Sequence, residues 1–277
     1  MAKGFIRKFK KVPRWTLHKW VSFVASFPSI SDAACPTFPA VPTAFLKSQG
    51  YFSQIGQDYL VDQLLLNSVT HGVFVDVGAH DGMEFNNTYF FESARGWTGL
   101  CIEPNPDVYE ALASNRTCAT EQVAVGASEG KVKFTAIKGP ADMLSGISKN
   151  YNRRHKSLIN AGIKAANGSH RVLEVPLRPL QALLDTHGIT RIDFLSIDTE
   201  GSELDVLKGI DFKKTRVSCI AIERNYESGS IPQLLKSQGF IRVMALAWDD
   251  IYIRADLLLV IPGGSVPRDL AQEAPES

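Results

Sequence analysis

Cysteine is scarce in this 277-residue chain, and the four present, Cys35, Cys101, Cys118 and Cys219, form no CxxC pair and no metal-ligand spacing. A disulfide framework and a cysteine metal site are therefore excluded. Cys101 and Cys219, set inside apolar runs, read as buried free thiols of a reducing, cytoplasmic compartment. Also missing is an apolar run of the roughly 20 residues that a membrane-spanning helix requires. The stretch Trp20–Phe27 is far shorter and is interrupted by serine. No internal repeat is visible. Neither a GxGxxG loop nor a Tyr-x-x-x-Lys pair is present, which leaves a nicotinamide-dependent oxidoreductase only as a rival reading.

Net charge is nearly absent too, 30 Lys/Arg against 29 Asp/Glu, but it is unevenly spread. Residues 1–20 hold seven Lys/Arg and no acid, so the remainder is acidic. Such a body lacks the cationic surface from which nucleic-acid binding draws most of its free energy, and no nucleic-acid partner is expected. The basic end, with Phe5, Phe9, Trp20 and Phe23 among its lysines and arginines, fits three descriptions. It suits an interfacial helix on anionic lipid, a targeting peptide, or a solvated extension. A peripheral membrane contact stays open, and with it a second rival, a membrane-associated non-catalytic binding protein.

With 44% hydrophobic and 21% charged residues, the chain has the make-up of a soluble globular protein able to bury one α/β core. The expected organisation is a basic amphipathic extension over 1–34, a proline-marked linker over 35–50, one domain over 51–262 and a flexible tail over 263–277. From Gly72 short apolar runs alternate with helix-like segments, the pattern of a mostly parallel sheet covered on both faces. Strands are predicted at 73–77, 99–102, 122–125, 131–137, 192–197 and 217–222, with a terminal hairpin at 240–247 and 251–253. The stretch 138–170 shows no clear pattern.

Chemistry is concentrated where strands end. Val73-Phe-Val-Asp76-Val-Gly78-Ala79-His80-Asp81-Gly82 runs an apolar strand straight into a glycine turn, which lets backbone approach a ligand at the crevice of such a sheet. The D-x-G-x-x-x-G spacing suits a ligand without a pyrophosphate, namely a nucleoside joined to a sulfonium-bearing amino acid. Glu103, after the second strand, suits two ribose hydroxyls, since one carboxylate accepts from both. Asp198 and Glu200, and then Glu223 with Asn225, close two further strands, so four strands are expected to end in acids on one rim.

These blocks resemble the FkbM family of S-adenosylmethionine-dependent methyltransferases. The likeness rests on Ser53-Gln54-Ile-Gly56-Gln57-Asp58, the Phe74–Gly82 loop, Asn87-Thr88, Trp97-Thr-Gly-Leu-Cys-Ile-Glu103-Pro104 and Asp193-Phe-Leu-Ser-Ile-Asp198-Thr-Glu200-Gly201. It covers residues 51–254. The resemblance implies a Rossmann-like class I methyltransferase fold, an α/β architecture whose seven-stranded, mostly parallel sheet carries helices on both faces. It implies S-adenosylmethionine as cofactor and transfer to a hydroxyl of a sugar, glycan or small metabolite. It places the cofactor at Asp76, Gly78, Ala79, His80, Gly82, Asn87, Glu103, Pro104, Ala124 and Asp198, with adenine near Ala124. Residues 138–170 become a variable insertion that selects the acceptor.

Removal of the acceptor proton falls to Glu200 or Glu223, with Asp198 beside them; His155, in the run Arg153-Arg154-His155-Lys156, is an outlying candidate. Asp198, Glu200, Glu223 and Asn225 also offer hard oxygen ligands to a divalent cation, although their spacing does not require one.

Overall fold

The computed structural model describes residues 35, 37–66, 69–151, 153–165, 168–225 and 229–258. The predicted extension over 1–34 and tail over 263–277 lie outside them.

The strands are β1 (Thr37–Phe38), β2 (Val73–Val77), β3 (Thr98–Ile102), β4 (Ala119–Glu121), β5 (Ala124–Gly126), β6 (Gly130–Lys138), β7 (Gly146–Ile147), β8 (Ser169–Pro179), β9 (Arg191–Ile197), β10 (Arg216–Glu223), β11 (Phe240–Leu246) and β12 (Asp249–Arg254). The helices are α1 (Thr43–Ser48), α2 (Gln57–Leu60), α3 (Tyr89–Arg95), α4 (Pro106–Asn115), α5 (Arg153–Ala165), α6 (Leu180–Thr186), α7 (Glu203–Lys208), α8 (Ser230–Ser237) and α9 (Ala255–Leu258). Among them no helix is long and apolar enough to cross a membrane.

The main sheet runs β1-β11-β12-β10-β9-β2-β3-β4. Neighbours are parallel except at β12, which is antiparallel to both β10 and β11. Strands β4 to β11 in this order make up the expected seven-stranded sheet, and β1 adds an eighth at the edge. Because side chains alternate across a strand, Phe74, Cys101, Phe194 and Cys219 enter the core on one face. Val75, Leu100, Leu195 and Ile220 enter the core on the other. The first core is closed by Leu46, Ile55, Phe91 and Trp97, the second by Leu180, Leu183, Val206 and Leu207. Burial on both faces is why these strands read as unbroken apolar runs.

Three expectations are corrected. Residues 35–50 are not a linker: β1 pairs with β11, and Val41 and Leu46 are buried in the core. The prolines that suggested a linker flank these elements, Pro42 standing at the N-cap of α1. In place of the single strand predicted at 122–125, residues 119–121 form β4 and residues 124–126 form β5, in different sheets. β4 completes the main sheet, while β5 joins a second sheet of order β5-β8-β6-β7. Finally, 138–170 is not irregular, since it holds β7, α5 and the start of β8. That last strand pairs with β6 from Gly130↔Leu177 to Lys138↔Ser169. Its first half is solvent-facing at nearly every position, so it carries little apolar alternation for a sequence reading to detect.

Candidate active site

The parallel strands β3, β2, β9 and β10 release their C-terminal ends side by side, and a cavity of about 330 Å³ opens there. That volume falls at the small end of ligand pockets. One end is apolar, walled by Ile102, Val123, Ala124, Val125 and Phe134. The other carries Asp198, Glu200 and Glu223, with Gln54 and Trp248 at its side. Glu103 stands between, on the β3 side.

The Gly78–Thr88 loop is shaped from beneath. Gly78 has φ 88°, and a Cβ there would lie 1.7 Å from the Asp198 carbonyl oxygen, so only glycine lets β2 leave the sheet this close to β9. Below it, Arg116 is buried. Its guanidinium donates to the Gly82 carbonyl, Asn86 Oδ1 and Thr88 Oγ1 at 3.0–3.1 Å and pairs with Glu92. Asp76 accepts from Asn86 Nδ2 at 2.9 Å and Thr88 Oγ1 at 2.8 Å. Burial raises the pKa of Asp76, against the pull of Arg116 and these donors.

Glu103 Oε2 accepts from the His80 backbone N–H at 3.1 Å and Oε1 from that of Asn105 at 2.7 Å. Burial lifts its pKa to about 7. His80 lies 3.4 Å from the Asp142 carboxylate and 3.9 Å from that of Asp81. Burial lowers its pKa, but Asp81, Asp142 and Glu103 outweigh this and the net shift is upward. The Asp142 contact brings residues of the 138–170 stretch over the Glu103 end of the cavity, so that stretch is not confined to the acceptor side.

At the far end, Asp198, Glu200 and Glu223 each present a carboxylate oxygen, all within 4.8 Å of one another. Among the described residues, these three form a cluster able to hold a metal. Asp198 is exposed to the cavity, so water screens it more than its two neighbours. Desolvation by the surrounding protein raises its pKa to about 6. Burial and then Asp198 raise Glu200 to about 9, and the same two causes put Glu223 well above its ordinary value. Glu203 braces the turn, accepting from Gly201 N at 2.8 Å and Asn225 Nδ2 at 3.1 Å. Asn225 thus serves the turn and Glu223. Gln57, from the upstream block, donates to the buried Asp249 at 2.7 Å.

Residues 76–242 match the sequence profile of the methyltransferase FkbM domain. The chain belongs to the FkbM methyltransferase family. It is 25% identical over 240 residues to methyltransferase sdnD of Sordaria araneosa, covering 78% of this chain and 90% of that one. A solved FkbM methyltransferase from Methylobacillus flagellatus KT is 18% identical with a TM-score of 0.39, over 66% of this chain and 43% of its own. A TehB-like S-adenosylmethionine-dependent methyltransferase from Corynebacterium glutamicum is 8% identical with a TM-score of 0.35, over 76% and 94%. Membership implies use of S-adenosylmethionine.

In this FkbM methyltransferase, the expected residues Gly78, His80, Glu103, Pro104, Ala124, Asp198, Glu200 and Glu223 all line the cavity. Asp76, Ala79, Gly82 and Asn87 do not. Asp76 lies inside β2, not at its end, and is taken up by the loop, so three strands and not four bring acids to the rim. A Cβ on Gly82 would strike Leu112 and Arg116, so this glycine serves packing against α4. Asn87 donates to Ser196 Oγ at 3.0 Å. His155 lies on α5, its side chain outside the described part of the structure. Sequence reasoning missed Arg116, Asp142, Ser145 and Trp248. Only Trp248, an aromatic in a hairpin turn, carried a signal that local reading would have found.

Proposed function

We propose that this methyltransferase uses S-adenosylmethionine to methylate a hydroxyl oxygen of a sugar, glycan or other small hydroxylated metabolite. One feature carries the reading: three carboxylates converge within 4.8 Å on the wall of the same cavity that Glu103 enters.

The residues present fit the cofactor. The apolar wall around Ala124 and Val125 offers a face to adenine. Each Glu103 oxygen, already holding one backbone N–H, keeps a lone pair for a ribose hydroxyl. Glu103 follows β3 and Asp198 follows β9, two strands away, a separation of about 10 Å at ordinary strand spacing. That span matches the length from ribose to the methionine end. When bound, the cofactor supplies an activated methyl group on a sulfonium.

The chain's own residues align the acceptor and take its proton. Burial and like charges make the Asp198, Glu200 and Glu223 cluster a better proton acceptor than free carboxylates, because a raised pKa means a stronger base once ionised. Trp248, 46% exposed at the cavity side, offers a flat face on which a sugar ring can stack. Its turn is pinned by the hydrogen bond from Arg224 N to the Trp248 carbonyl at 2.8 Å.

The test uses Glu200→Gln and Glu223→Gln. Each is expected to lower methyl transfer at least 100-fold while S-adenosylhomocysteine affinity, read by calorimetry, changes less than threefold. Unchanged turnover in both would remove the cluster from the chemistry. The same three oxygens suit a hard divalent cation. Loss of activity in EDTA, restored by Mg²⁺, would make the triad a ligand set instead of a proton acceptor.

A further inference from the structure

Residues 131–171 contain nine Lys/Arg against one acid, Asp142, in a chain whose totals are 30 and 29. They form β6, β7, α5 and the start of β8, so the charge is gathered on one lobe. Six of these cations, Lys133, Lys138, Lys149, Arg153, Lys156 and Lys164, are exposed and have no carboxylate partner among the described residues. α5 opens with Arg153, Arg154 and Lys156 and no acid in its first turn, where the helix dipole disfavours cations. This arrangement costs the free protein stability, and an anion laid against it would relieve the repulsion. The same lobe supplies Phe134, Met143, Ser145 and Ile147 to the cavity wall.

We infer that this lobe docks an acidic glycan chain. Its repeated carboxylates or sulfates lie along the cations while one of its hydroxyls enters the cavity. The inference rests on the methyl-transfer reading above and narrows its acceptor. The spread of charge favours an extended partner: β6 runs about 30 Å and α5 about 20 Å. A single phosphate would instead require arginines converging on one point. Single-stranded nucleic acid would require exposed aromatic faces for its bases, and Phe134 and Tyr151 of this lobe are buried.

The experiment takes the full chain saturated with S-adenosylhomocysteine. It measures binding of a sulfated hexasaccharide and of its desulfated, N-acetylated counterpart by fluorescence anisotropy at 50 and 300 mM NaCl. The sulfated form is expected to bind at least tenfold tighter and to weaken with salt. The variant K133Q/K149Q/R153Q/K156Q is expected to lose at least tenfold of that affinity, with Tm undiminished and S-adenosylhomocysteine binding unchanged. Variant affinity within twofold of the parent would overturn the proposal, moving the binding to the basic residues of 1–20. Equal binding of the uncharged sugar would overturn it as well. So would tighter binding, through these same four residues, of poly(U) RNA or of phosphatidylserine vesicles. Failure of S-adenosylhomocysteine itself to bind would sink the methyl-transfer reading instead, and is read separately.

Discussion

Glu103 meets the cavity with a carboxylate that two backbone N–H groups have already oriented, and its pKa stands at about 7. Ribose hydroxyls donate only to the ionised form with full strength, so cofactor binding must drive off the proton that burial retains. Affinity for S-adenosylhomocysteine is therefore expected to rise about tenfold between pH 6 and 8, measured by calorimetry at both. Glu103→Gln should flatten this dependence and weaken binding at pH 8. A dependence that survives the substitution belongs to another cavity group, His80 or Asp198. Glu103, Asp198 and Glu223 were legible in the sequence because each follows or closes an apolar run at a place where backbone turns toward solvent. Asp76 was not. It sits one residue before the strand's end, and the two-residue period of a strand turns it into the loop's own hydrogen bonds.

At the scale of elements, the Gly78–Thr88 loop depends on α4 through Arg116. Four acceptors, three from the loop and one from α3, share this guanidinium, which also lies 4.9 Å from the Phe74 ring. Arg116→Ala leaves Glu92 and Asp76 without their cation, and breaking a buried pair in this way costs about 3–5 kcal/mol. Urea unfolding should show that loss. Arg116→Lys should recover less than half, since an ammonium cannot reproduce the planar fork. An undiminished unfolding free energy in Arg116→Ala would show that the loop holds itself. Nothing in the sequence marks Arg116, because an arginine ten residues into a helix segment and beyond reads as solvated surface. The same limit hid β8, and it hid the departure of β5 from the main sheet. An apolar triplet states that it will be buried without stating against which strand.

Over the whole molecule, carboxylates of the core and the cavity set the response to pH. Asp198, Glu103, Asp249 and Glu200 hold folded-state values of about 6, 7, 7 and 9, all above those of the unfolded chain. The folded protein therefore binds more protons than the unfolded one through this window, and stability falls as pH rises. His80, also raised, acts in the same direction, since its stabilisation is present at low pH and lost as pH climbs past its folded value. Asp62 and Glu92, lowered mainly by Arg95 and by Thr117 with Arg116 against the opposing effect of burial, stabilise the fold above the ordinary carboxylate range and contribute no slope above it. The unliganded protein is expected to melt roughly 5 °C lower at pH 8.5 than at pH 6, the size of a change of about 2 kcal/mol in a chain of this length. Scanning calorimetry at both values reads it, and a Tm that rises with pH would contradict the assignment.

The sequence by itself determined the α/β class, the parallel strands and the acids that end them, because burial on two faces and turns at strand ends write themselves into consecutive residues. Only the tertiary structure decided that β1 closes the sheet edge, that β5 and β8 build a second sheet over the cavity, and that Asp76 serves the loop while Trp248 and the basic lobe border the site. Those outcomes depend on pairings between distant segments and on which way a side chain faces, and neither is encoded in local periodicity.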